Sequence, residues 1–337
     1  VEAAALAERI RKAVAEPYDI ERQKIVVGAS IGIALAPCDG VEPHELMKQA
    51  DLALYRQKSA GRDGFCFFDS QMTVDADARH QLVNDLRHAI ANDELELHYQ
   101  LVVDVKTAEP CGAEALVRWR HPQRGSIPPS EFIPLAEESG LIVPLGEWVI
   151  QTACAAAMSW PPQVKVAVNL SPMQLKKANL LDVILCTLIE SGLAPERLEL
   201  EITESILIES HLDIVPLIRQ LKNLGISIAL DDFGTGYSSL SYLTMFPFDK
   251  IKIDQSFIRN MIKRAECRAI IASVLALGRG LGIAITAEGV ETQEQLELLS
   301  SLGVDSIQGF LLGAPCPLSK LNFDRRSLRR PAGIASR

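Results

Sequence analysis

Residues 229–240, ALDDFGTGYSSL, set two aspartates side by side where an apolar run stops. Two carboxylates so close repel, and one pKa rises unless cations or hydrogen-bond donors compensate. A strand-to-helix turn accounts for the pair on its own, since Asp and Gly are ordinary turn residues. Six further apolar segments end in the same kind of residue, however. In chain order the seven ends carry Glu114, Asn169, Glu201 with Glu204, Asp231 with Asp232, Lys252, Glu288 and Gln308. Singly, Glu201 reads as the solvated face of an alternating strand, Asn169 as a turn residue and Lys252 as an ion-pair partner. Among them are six carboxylates and the amide oxygen of Asn169, with no histidine or cysteine, and hard oxygen ligands select Mg2+ or Mn2+ over zinc or copper. So many acids exceed the need of one divalent ion and point to two, bridged by a shared aspartate. Two such ions ~3.5–4 Å apart activate water and stabilise developing charge in phosphodiester hydrolysis. The DFG at 232–234 is a false lead, because no HRD-type loop, glycine-rich lid or VAIK strand accompanies it.

The elements that must bring these residues together are legible as an alternation. LELHYQLVVDV, CGAEALVRW, KVAVNL, LELEITE, ISIALDD, KIKID, IAITAEGV and SIQGFLLG read as strands, and helical stretches such as LDVILCTLIESGL, HLDIVPLIRQLKNLG and TQEQLELLSSLG lie between most of them. Eight strands alternating with helices match the ~250 residues of a (β/α)8 barrel, whose chemistry gathers at the carboxyl ends of the strands. The link KTAEP after the first strand is too short for a helix, so the first strand pairs with the second as a hairpin and runs antiparallel to the rest. Residues 1–70 read as a small α/β unit. In it KIVVGASIGIAL is a buried strand, PCDG a turn, EPHELMKQADLALYRQKSAGRDG a helix with Pro43 near its start and Gly61 past its end, and FCFFD a closing strand. An amphipathic helix from Val74 to Ala91 links the two units.

Composition bounds the function. The 337 residues are 48% hydrophobic and 23% charged, the balance of a folded globular protein. A net charge of -9 disfavours a DNA or RNA polymer as partner. The last segment, 326–337, reads as a loose basic tail. Seven scattered cysteines, odd in number and never spaced CxxC, suit a reducing cytoplasm and argue against a disulfide framework or a zinc-thiolate site. No apolar run reaches the ~18 residues needed to cross a membrane. The expectation is a cytoplasmic segment without membrane contact, leaving open a tether in regions outside this chain.

With those residues in place, the chain resembles a known family. EALVRWRHPQRGSIPPSEFIPLAEESGLI, VNLSPMQL, LELEITES, LDDFGTGYSSLSYL, KIKIDQSFI, AEGVET and QGFLLGAP are similar, in order, to the motifs of EAL-domain cyclic-di-GMP phosphodiesterases, over about residues 84 to 323. The resemblance implies a modified (β/α)8 barrel that opens cyclic di-GMP to linear pGpG with two Mg2+ or Mn2+ ions. It implies Glu114, Asn169, Glu201 and Asp231 around one ion, and Asp231, Asp232 and Glu288 around the other. Lys252 and Gln308 would position the attacking water, with Glu288 as general base. Arg118 would reach a phosphate through its guanidinium fork, and Gln100, Leu116 and Gln308 would make further substrate contacts. Glu204, grouped with the catalytic residues, falls on the opposite strand face from Glu201 and is suited to anchoring the loop that begins at Asp232. Relatives often pair as homodimers near this loop, so residues 232–245 are the expected interface.

Two departures occur. Tyr99-Gln100-Leu101 stands where Tyr-Gln-Pro is usual, and Thr107-Ala108 where Thr-Gly is usual. The segments ASIGIAL and ADLALYRQKSAGRDGFCFFD resemble the C-terminal part of a GGDEF diguanylate cyclase domain, but the chain has no Gly-Gly pair and so lacks the signature loop that would hold GTP. The domain reading is a partial GGDEF-like unit at 1–70, a linker helix at 71–83 and the barrel at 84–325. The rival function is a receptor that binds cyclic di-GMP without cleaving it. Its mark would be a lost acid, a lost lysine or a broken DDFGTG loop, and none is seen.

Overall fold

The structure, a computed structural model, describes residues 2–21, 23–92, 94–204, 214–234 and 240–324. The basic tail and residues 235–239 of the DDFGTG loop lie outside the described residues. The chain divides into two compact units, Val1–Asp85 and Leu86–Arg337.

In the first unit the apolar run KIVVGASIGIAL is not one buried strand. Gln23–Ile25 pairs antiparallel with Tyr18–Ile20, whereas Ser30–Ile33 pairs parallel with Gly64–Phe67, and residues 26–29 join neither ladder. Each half has a different partner, so the chain changes sheets in mid-run, and Val26 is left 65% exposed. The helix Pro43–Ser59 connects the parallel pair, with Pro43 in its first turn, where a missing N–H costs nothing. A further helix, Ser70–Ala91, starts four residues before the expected Val74.

The second unit is a closed eight-stranded barrel. Its strands are β1 (Leu95–Asp104), β2 (Pro110–His121), β3 (Lys165–Leu170), β4 (Leu198–Thr203), β5 (Ser227–Phe233), β6 (Lys250–Ile253), β7 (Ala284–Ala287) and β8 (Ser306–Gln308). Strands β2 to β8 run parallel, and β1 closes the ring antiparallel to both β2 and β8. The turn between β1 and β2 places Ala108 at φ 58, in the left-handed region that glycine adopts without strain. The Thr107 N–H is held there by Asp104 Oδ1 at 2.8 Å. Leu101, next to Gln100, therefore faces away from the barrel interior.

Residues opposite one another across a ladder share a face, so the alignments run Gln100–Glu114, Glu114–Ala167, Ala167–Glu199, Asn169–Glu201, Glu201–Ala229, Ala229–Lys250 and Lys252–Thr286 around the inside. Bulky branched residues fill most barrels of this type. Here the interior is polar, padded with alanine, and the apolar residues point outward. Leu200, Ile202, Ile228, Ile251, Ile253 and Ile307 are fully buried on that outer face. The core therefore lies between barrel and helices, which include α1 (Pro129–Ser139), α2 (Ile142–Ala157), α3 (Leu180–Ser191), α4 (Val215–Asn223), α5 (Ala265–Leu281) and α6 (Gln293–Leu302). Inverting the usual barrel pattern frees the interior for charge.

Candidate active site

Even strands supply one ring of interior side chains: Glu114 from β2, Glu201 from β4, Lys252 from β6 and Gln308 from β8. Glu114 sits well inside β2 and not at its end, because β2 runs on to His121 to form a hairpin with Gly125–Ile127. Lys252 is the hub. Its ammonium lies 2.7 Å from Glu201, 2.7 Å from Glu288, 3.2 Å from Asp231 and 3.6 Å from Glu114, with only 2% of its side chain exposed. Glu114 is held from two further directions, by Asn169 Nδ2 at 2.7 Å and Gln308 Nε2 at 2.6 Å. Gln308 Nε2 also reaches Gln100 Oε1 at 3.1 Å, while Gln308 Oε1 is buried with no hydrogen-bond partner.

The aspartate pair faces this hub. Carboxylate oxygens of Asp231, Asp232 and Glu288 lie within 4.8 Å of one another. Asp232 takes a positive φ of 54, and its N–H donates to Asp231 Oδ1 at 2.9 Å. Backbone strain of this kind concentrates at functional sites. Glu204, 4% exposed, turns away from the cluster and accepts a hydrogen bond from the Gly234 N–H at 3.1 Å. Hydroxyl partners expected for it at Thr235, Ser238 and Ser239 fall outside the described residues. On the far side Gly309 lets β8 end against residue 290: a Cβ there would meet Val290 N at 2.2 Å, and the Val290 N–H donates to Gln308 O at 3.0 Å.

The charges are out of balance. Burial pushes the Glu288 carboxyl up to about 8 despite Lys252. Burial and Asp231 push Asp232 to about 6. Burial likewise lifts Glu201 well above the usual range, and neighbouring Glu114 and Asp231 add to it, outweighing Lys252. Glu114 goes the other way: burial alone would raise it, but Lys252 and the amide donors of Gln308 and Asn169 prevail. For Lys252, burial is overcome by its four carboxylates, which keep it firmly protonated. Four acids sharing one ammonium, with Asp232 beside them, leave a deficit of positive charge, and every acid offers a hard oxygen. The set fits divalent cations of the Mg2+ or Mn2+ class.

Two cavities open at this mouth. The smaller, about 190 Å3, is lined by Gln100, Glu114, Leu116, Asp231, Lys252, Glu288 and Gln308, together with Gln255, Glu291 and Phe310. The larger, about 520 Å3, includes Arg118, Asn169 and Ser171 as well as Leu116. Arg118 is thus beside the acids but in the adjoining cavity, where its Nη1 donates to Val117 O at 2.8 Å. Gln255, Glu291 and Phe310 escaped the sequence reading. Phe310, which is 65% exposed, offered the one usable signal in its spacing of two residues from Gln308.

Comparison with known proteins adds the following. The EAL domain model matches residues 83–315, and the diguanylate cyclase GGDEF domain model matches residues 1–64. The bifunctional diguanylate cyclase/cyclic di-GMP phosphodiesterase MucR of Pseudomonas aeruginosa is 45% identical over 95% of this chain and 47% of its own length. The cyclic di-GMP phosphodiesterase PdeR of Escherichia coli is 39% identical over 93% of this chain and 48% of its own. The chain thus spans less than half of these curated relatives. A solved structure of the MucR phosphodiesterase in complex with c-di-GMP covers 72% of this chain and all of its own, with 44% identity and a TM-score of 0.69.

Proposed function

The chain belongs to the EAL-domain family, and on that premise we propose that its barrel hydrolyses cyclic di-GMP to linear pGpG with two bound divalent cations. The observation that carries this reading is the convergence of Glu114, Glu201, Asp231 and Glu288 on the single ammonium of Lys252, at 2.7 to 3.6 Å. A receptor that only binds the dinucleotide has no need for so many acids in one cavity. Glu114, Asn169, Glu201 and Asp231 would hold one Mg2+ or Mn2+ ion, and Asp231, Asp232 and Glu288 the second. Such ions supply the charge that acidifies a water and offsets the negative charge growing on the phosphate.

The side chains divide the remaining work. Lys252 keeps its proton, so it would hold the attacking water and the phosphate as a donor and not as a base. Gln308 Oε1, unpartnered and buried, supports a second hydrogen bond to that water. Glu288, ionised where it holds a cation, would take the proton as the water oxygen joins phosphorus and one P–O ester bond breaks, and that proton would pass to the departing ribose oxygen. Arg118 would clamp a phosphate from the adjoining cavity, and Gln100 and Leu116 would line the path of the substrate. Glu204 would hold the Asp232 loop through Gly234.

The domain division at 1–70, 71–83 and 84–325 belongs to the same proposal, as do a homodimer through residues 232–245 and a cytoplasmic site of action. Among the described residues no helix is long and apolar enough to cross a membrane. The test is to incubate the protein with cyclic di-GMP and Mg2+ or Mn2+ and chromatograph the products. pGpG should form, EDTA should stop it, and Asp231→Ala or Glu114→Ala should abolish it. Parent-level hydrolysis in both variants, or activity surviving thorough chelation, would overturn the two-cation reading.

A further inference from the structure

Beneath the ring of acids, the barrel interior carries a second charged layer that the proposed reaction does not use. Glu199 and Lys250 stand two residues before Glu201 on β4 and Lys252 on β6, so all four side chains face inward. The lower pair meets at 2.6 Å, with 5% of the glutamate and 17% of the lysine side chain exposed. The upper pair, Glu201–Lys252, meets at 2.7 Å. Two ion pairs are therefore stacked along the barrel, cations on β6 and anions on β4. Lys165 also enters the lower layer, donating to Ser227 Oγ at 2.5 Å.

The stack has a consequence for Glu201. A lysine buried this far needs a counter-ion, because an unpaired charge in the interior is costly. Glu199 is that counter-ion, and Glu201 is a second anion within electrostatic reach of the same ammonium. If Glu199 lost its charge, Lys250 would turn to the next acid up the strand. That acid is a candidate metal ligand.

We propose that Glu199 is a positioning residue for the metal centre: by holding the Lys250 ammonium in the lower layer, it keeps the Glu201 carboxylate available to Lys252 and to a divalent cation. The inference rests on reading the site as a divalent-cation centre, and it needs no particular substrate. Its signature is asymmetric. Removing the anion harms the layer above by releasing a cation toward it, whereas removing the cation does not.

The test is calorimetric titration of the metal-stripped full chain with Mn2+, with folding checked by circular dichroism. Glu199→Gln should raise the Mn2+ concentration for half-saturation by about tenfold or more, the scale on which such supporting partners act. Lys250→Met should bind Mn2+ at least as tightly as the parent, and the double variant Glu199→Gln with Lys250→Met should return to the parent value. A merely structural ion pair would instead lower stability in both single variants and leave Mn2+ affinity alone. Unchanged affinity in a folded Glu199→Gln protein overturns the proposal. So does a double variant that stays weak, including the case where Glu199→Gln alone does not fold. A parent protein that takes up no Mn2+ would overturn the reading of the site and this inference with it, whereas parent-like Glu199→Gln overturns the inference alone.

Discussion

Lys252 decides the character of the site, because one buried ammonium is shared by four carboxylates. In the proposed reaction it holds water and phosphate, and substrate binding is spread over many other groups. Lys252→Met should therefore lower hydrolysis by at least ~100-fold, the lower end of what a fixed donor at developing charge contributes. Calorimetry should still detect cyclic di-GMP binding in the presence of a divalent cation. Complete loss of binding would make Lys252 a substrate anchor instead. The acids were legible in the sequence because all but Glu114 lie at or near the end of an apolar run and the strand period of two tells which of them share a face. The lysine's four partners were not, because they depend on the register between strands far apart in the chain. Arg118 illustrates the same limit: its spacing from Glu114 is plain, yet only the fold reveals that it lines the neighbouring cavity.

At the scale of elements, the end of β4 reaches the loop after β5 through a bond from the Gly234 N–H to Glu204. That bond fixes the backbone two residues beyond Asp232, whose positive φ of 54 already needs support from its surroundings. Glu204→Ala should leave the barrel folded while raising the Mn2+ requirement of hydrolysis by about 10–100-fold. Ordinary metal dependence in the folded variant would mean the loop holds itself. The eight barrel strands, including the reversed first one, follow from alternation and from the short KTAEP link. The first unit was harder to read: KIVVGASIGIAL is rich in Ile and Val on both sides of the break, and little in the run marks where the chain leaves one ladder for another. Glycine at 28 is the nearest hint, and a lone glycine is weak evidence of a break.

For the whole molecule, the acid surplus ties folding stability to pH and to cations. Glu288 at about 8 and Asp232 at about 6 both stand above their unfolded values of 4.5 and 3.8. Groups raised in the folded state favour folding most at low pH, and that contribution is lost as pH climbs through the folded value. Chelated protein should accordingly melt at a higher temperature at pH 6 than at pH 8, and Mn2+ should raise the melting temperature more at pH 8. Scanning calorimetry with EDTA or Mn2+ at the two pH values checks both signs, and an equal Mn2+ effect at both would count against the acid cluster as the binding locus.

The reversed first strand has one more effect. In an all-parallel barrel the chain enters at the floor, opposite the chemistry. Here Leu95 pairs with Trp119, beyond the level of Glu114, so the polypeptide arrives at the rim above the acids. The helix ending at Ala91 hands over to β1 almost at once. The first strand of the barrel therefore begins beside the acids, and a change of backbone at Leu95 is felt at their rim before it reaches the floor.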